Sequence, residues 1–146
     1  MTILPHDRHL STWQRALFLL IILLALPVCA MAEPQKSETL TFEKVIDGAT
    51  LVASGKTVSL WGVKALDPAD PNVFAANLYL KTMLGKGALR CAAMNAEADR
   101  HFMYCRIDSA DVASLMVQMG MARATDPYYR FEQATAQAKH RGVWRN

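Results

Sequence analysis

The chain has 146 residues, of which 52% are hydrophobic and 20% charged, and a formal net charge of +3. That balance excludes a disordered charged tail, which needs low hydrophobicity with high net charge, and a nucleic-acid binder working by bulk electrostatics. Seven Gly and six Pro exclude collagen-like and low-complexity chains, and the length is that of one domain.

Residues 1–32 read as a secretory leader. Arg8 and Arg15 give a basic start, Ala16 to Leu26 is an unbroken apolar run, Pro27 interrupts it, and Ala30-Met31-Ala32 is an A-x-A cleavage pattern. The rival reading is an uncleaved anchor. Residues 16–32 carry no charge and reach the short edge of the roughly 17–25 residues a spanning helix needs. A lipoprotein reading of Cys29 is opposed by Val28, where a small residue is required. The expected product is a periplasmic or secreted bacterial protein. Cleavage leaves Cys91 and Cys105, and an even cysteine count in an exported chain suggests one disulfide. The other reading is a pair of free buried thiols.

Residues 33–38 are polar, contain Pro34, and read as a flexible arm. The domain proper spans 39–146. Thr39 to Ile46 alternates like a half-buried strand, Asp47-Gly48 turns the chain, and Thr50 to Ala53 and Val58 to Val63 follow as strands, with Gly62 a point of bulge or close approach. After the loop Leu66 to Pro71, Asp70 or Asn72 is placed to cap a helix over 73–84 whose buried face is marked by Phe74, Leu78 and Met83. Gly85-Lys86-Gly87 stops it. Ala88 to Met94 and Phe102 to Ile107 are strands carrying the two cysteines, with 95–99 as the turn between them. Asp108 to Asp111 supplies a turn and an N-cap for a helix over 112–119 that Gly120 ends. A last helix over 129–141 ends at Gly142. Five short strands and three helices imply an α+β fold, mainly β. The expected architecture is a five-stranded barrel with three packed helices, of which the OB-fold is the commonest form.

The order of these signals resembles the staphylococcal nuclease-like, or thermonuclease, family. The likeness is carried by Val45-Ile46-Asp47-Gly48-Ala49-Thr50-Leu51, by Val58-Ser59-Leu60-Trp61-Gly62-Val63-Lys64-Ala65, and by Asp99-Arg100-His101. It continues through Asp111-Val112-Ala113 to Gly120-Met121-Ala122, and through Ala134 to Arg141-Gly142-Val143-Trp144. It spans roughly Leu40 to Trp144 and implies the same OB barrel with three helices. It also implies where chemistry would sit. Active members read V-x-D-G-D-T, and the second Asp binds calcium; Ala49 stands there. The phosphate-binding Arg that opens the next stretch is replaced by Ser59. In G-I-D-A-P-E the Asp ligates the metal and the Glu is the general base; Lys64 and Asp67 occupy those positions. The second phosphate-binding Arg corresponds to Met103.

Calcium takes roughly 6–8 oxygen ligands, and Ala49 and Lys64 offer none. Losing one oxyanion-stabilising donor costs about 2.7–4 kcal/mol of transition-state stabilisation, and neither Ser59 nor Met103 replaces a bidentate guanidinium. Asp67 and Arg100 remain as catalytic candidates, and Asp47 and Asp67 as metal candidates. Lys64 reads either as an internal cation pairing with Asp47 or Asp67 in place of the metal, or as a solvated strand-end lysine. Tyr128 and Tyr129 resemble the family's base-pocket tyrosines, where stacking is worth about 1–3 kcal/mol per base. The preferred reading of the pair is that they anchor the last helix to the barrel. His101 and His140 lack Cys or His partners at ligand spacing. Lys139-His140-Arg141 is a basic helix end suited to the helix dipole.

The expectation is thus an exported, nuclease-like OB-fold protein that has lost metal-dependent phosphodiesterase activity, needs no cofactor, and serves as a binding or structural module in the cell envelope. Its partner would be a nucleic acid or nucleotide, or an envelope protein. The alternative is an active secreted nuclease cleaving DNA or RNA through a rearranged calcium site.

Overall fold

The computed structural model describes residues 36–97 and 100–145; the leader and most of the arm lie outside the described residues. The long first strand expected from the alternation is two strands, β1 (Ser37–Leu40) and β2 (Phe42–Asp47), separated by Thr41. Ser37 and Glu38, read as part of the arm, belong to β1. The break is fixed by a reciprocal pair in which the Thr41 N–H donates to Ser54 Oγ and the Ser54 N–H donates to the Thr41 carbonyl, both at 2.9 Å. β3 (Thr50–Ala53) and β4 (Lys56–Leu60) follow. The strand expected to run on to Val63 stops at Leu60, because the chain turns at Trp61-Gly62 before β5 (Val63–Lys64).

Helix α1 covers Val73–Leu84 as the pattern predicts, but its buried face is Ala76, Leu80 and Leu84. Phe74 and Leu78 are exposed, a correction to the face read from spacing. The helix is apolar nearly all round, so periodicity leaves its rotation open. Contact decides it: Ala76 meets the Gly48 turn so closely that a Cβ on Gly48 would lie 3.2 Å from the Ala76 methyl. Neither expected cap acts as one. Asn72 is the N-cap residue without a side-chain bond, and Asp70 Oδ1 instead accepts from the Asn72 backbone and side-chain nitrogens at 2.8 and 2.9 Å.

The hairpin of β6 (Leu89–Glu97) and β7 (Arg100–Ile107) is longer than expected, since 95–97 continue the strand past a register shift between Ala93 and Asn95. Cys91 and Cys105 are directly opposed in this hairpin and form a disulfide. Both are buried in the core. The 14-residue separation corresponds to roughly 3 kcal/mol of loop-closure stabilisation in the chain-entropy model.

β8 (Ala110–Asp111) pairs with β7, and β9 (Arg123–Ala124) pairs with β5; both are too short for a sequence pattern. The fold is mixed α+β. A seven-stranded sheet runs β1-β6-β7-β4-β3-β2 with β8 on β7, and β5–β9 forms a separate pair. All pairs are antiparallel except β4–β7.

Helix α2 (Val112–Gln118) ends in a Schellman motif. The Gly120 N–H donates to the Val117 carbonyl and the Met121 N–H to that of Met116. Helix α3 (Arg130–Ala138) ends in the same way, but the left-handed residue is His140 at φ +47°, not Gly142. That corrects the expected end at Gly142. Gly142 instead packs backbone to backbone on Gly120, and the Val143 N–H donates to the Gly120 carbonyl at 3.0 Å. Arg141 extends the join by donating from Nη1 to the Gln118 carbonyl at 3.3 Å, an unpaired group at the negative end of α2.

Candidate functional site

Three of the positions that the family resemblance marks lie together on adjacent strands. Thr50 of β3 opposes Ser59 of β4, and Ser59 and Leu60 oppose Phe102 and Met103 of β7. The Leu60 N–H donates to the Ala49 carbonyl at 2.8 Å and the Trp61 N–H to the Met103 carbonyl at 3.0 Å. Ala49, Ser59 and Met103 are exposed by only 4%, 7% and 3%. Leu60, in register with Met103 and bonded to Ala49, faces with them, while the adjacent Ser59 faces the other way with Thr50 and Phe102. A small, a hydroxylic and an apolar side chain thus stand at neighbouring buried backbone positions with no carboxylate or guanidinium among them. Those residues do not fit calcium, a hard cation that requires several oxygen ligands.

The two acidic metal candidates are engaged locally. Asp47 Oδ1 accepts from the Ala49 N–H at 2.8 Å and Asp67 Oδ1 from the Ala69 N–H at 2.9 Å, each closing an Asx turn. Lys64 is exposed, and neither carboxylate lies within ion-pair distance of it; among the described residues the ion pair is Lys56–Glu38. Arg100 opens β7, but its side chain lies outside the described residues, as does Asp99. His101 and His140 are both exposed. Among the described residues no three His, Cys, Asp or Glu side chains gather in metal-binding geometry.

The tyrosines separate. Tyr129 is fully buried, while Tyr128 is 60% exposed. They meet edge to face at 4.9 Å, and Trp61 lies 5.8 Å from Tyr128 and 6.0 Å from Tyr129. A ligand can reach Tyr128 and the half-buried Trp61, whereas Tyr129 offers it no face. The Tyr129 hydroxyl donates to Asp111 Oδ2 at 3.0 Å. The other oxygen of that carboxylate caps α2 by accepting from the Ala113 and Ser114 N–H groups at 2.9 and 3.2 Å. Burial raises the Asp111 carboxyl above its ordinary value against the lowering effect of these hydrogen bonds. Burial and the neighbouring Asp111 charge push the Tyr129 phenol strongly up, so it stays protonated and remains a donor.

Sequence reasoning missed two features here. Trp61 shares an accessible aromatic surface with Tyr128; both flank the turn where the Gly62 carbonyl accepts from the Thr125 and Asp126 N–H groups. The Arg123 guanidinium stacks 4.6 Å from the Trp144 ring centroid. No periodicity marks either contact, because each joins segments distant in sequence. No family model matches the sequence, and no curated protein matches it.

Proposed function

We propose that this chain is an exported, staphylococcal-nuclease-like OB-fold module that has lost metal-dependent phosphodiester hydrolysis and acts by binding, in the cell envelope or outside the cell. The observation that carries the reading is that Ala49, Ser59 and Met103, at neighbouring backbone positions, are all buried and supply neither a carboxylate nor a guanidinium. Three separate departures from the family's catalytic pattern thus fall on neighbouring positions of the strands.

The barrel reading is supported by the sheet path. β1 and β2 stand at its two ends, yet only Thr41 separates them in sequence. Laid flat, six strands would set those ends about 24 Å apart at roughly 4.8 Å per step, which one residue does not span. The sheet therefore curls, and β1 and β2 act as halves of one bent strand. With β3, β4, β6 and β7 that makes five strands, the OB number. Export is supported by the leader pattern and the Cys91–Cys105 disulfide. No described helix is long and apolar enough to cross a membrane. The accessible ligand-facing groups are Trp61 and Tyr128.

The test combines calcium calorimetry with cleavage assays on single-stranded DNA and RNA. Absence of calcium binding and of cleavage is the expected result. Calcium-dependent cleavage abolished by Asp67→Ala would overturn the reading in favour of an active, rearranged nuclease.

A further inference from the structure

We propose that Lys64 and Arg123, the latter held against the Trp144 ring, form a binding site for an oxyanion, a carboxylate or a phosphate or sulfate group. The inference stands independently of the family reading. It begins from an anomaly in the β5–β9 pair, where Lys64 and Arg123 are direct antiparallel partners. Side chains at such positions share one face with Cβ atoms about 4.5–5.5 Å apart, and like charges there destabilise the pair. No described carboxylate lies within 4 Å of either cation. Asp47 and Asp67, the nearest in sequence to be considered as partners for Lys64, are spent on their own Asx turns.

A further contact gives the site its shape. The Arg123 guanidinium is held over the Trp144 ring at 4.6 Å. Stacking fixes the plane of the fork while leaving its edge donors free for a ligand. Ammonium and guanidinium are donors, and neither accepts. The complement of two adjacent cationic donors is an anion presenting two or more oxygens. The exposure of Lys64 leaves one side open for entry.

The test follows the Trp144 indole N–H resonance of the purified protein as inorganic phosphate, sulfate or acetate is added, with ionic strength held constant by chloride. A saturable shift is expected with at least one of the three. Response to phosphate or sulfate alone assigns a tetrahedral anion, and response to acetate assigns a carboxylate. Lys64→Met and Arg123→Gln should each weaken binding about tenfold, the equivalent of one lost charge-assisted hydrogen bond, and Lys64→Arg should restore most of it. Lys64→Glu should raise the melting temperature of the anion-free protein by relieving the repulsion while abolishing the shift. Lack of a saturable shift with all three anions would overturn the proposal, as would a shift of undiminished affinity in both Lys64→Met and Arg123→Gln.

Discussion

Gly120 and Gly55 offer a comparison in which one variable changes. Both have left-handed backbones, at φ +67° and +73°. A Cβ built on Gly55 has nothing within 4 Å, whereas one on Gly120 lies 2.7 Å from the Arg141 carbonyl carbon, closer still to its oxygen, and 3.2 Å from the Gly142 Cα. Those neighbours are backbone, so no rotamer change relieves the clash. Gly55→Ala should therefore lose only the left-handed penalty, about 1–2 kcal/mol, reduced by the roughly 0.4–1 kcal/mol that alanine gains through a less flexible unfolded chain. Gly120→Ala carries both of those terms and adds overpacking of about 1–3 kcal/mol, together with strain on the Val143 N–H bond to its carbonyl.

The difference between the two variants isolates the close approach of the chain ends of α2 and α3. It is expected at about 1–3 kcal/mol, read from urea unfolding followed by far-ultraviolet circular dichroism, with unchanged m-values as evidence that the denatured state is the same. Gly142→Ala attacks the same contact from the other side, since its Cβ would meet the Gly120 and Met119 carbonyls. The double variant should then cost less than the sum of the two singles. Equal losses at Gly120 and Gly55 would refute the reasoning, because backbone conformation alone would then account for both.

Three other perturbations test separate parts of the structure. His140→Gly removes an exposed side chain from a left-handed position and should raise stability by up to about 1 kcal/mol, seen as a higher urea midpoint. Because burial raises the Asp111 carboxyl above 3.8, its contribution to stability is complete below that value and is lost as pH rises through the folded-state value. Tyr129→Phe removes a hydrogen bond to the ionised form and should move the carboxyl further up; a carboxyl-carbon NMR titration placing Asp111 at or below 3.8 in the wild-type protein would contradict this. Ala49→Asp places the carboxylate that the nuclease resemblance implies at a position 4% exposed. It should cost about 3–5 kcal/mol, the scale of an uncompensated buried charge, and unfolding with and without calcium should coincide. A variant stabilised by calcium would mean that the position still opens into a metal site.

Local chemistry was the legible part of the fold. Asp111 and Gly120 bracket α2 as their residue types imply, and α1 runs over the predicted residues, because caps and stops act within one turn of chain. The rest depends on partners distant in sequence. The face of α1 was set by Gly48 meeting Ala76, which no window over 73–84 contains. The end of α3 was misplaced because Gly142 looks like a helix terminator, while its lack of a side chain serves the contact with Gly120 and a histidine takes the left-handed turn. β5, β8 and β9 have two residues each, shorter than any alternation that a pattern can register.

The candidate site divides along the same physical line. Ala49, Ser59 and Met103 are readable one at a time as residues unsuited to calcium or phosphate, but that they fall at neighbouring backbone positions depends on the parallel register of β4 on β7. A single missing ligand leaves a weakened site that a neighbour or water can complete. Three neighbouring buried positions without a carboxylate or guanidinium supply no charged ligand on either face of the strands, and each charged group introduced singly must bear its own desolvation. Positive charge gathers at Lys64 and Arg123, on a strand pair outside the main sheet. There an ammonium and a guanidinium lie side by side against the Trp144 ring, an arrangement that favours an incoming anion.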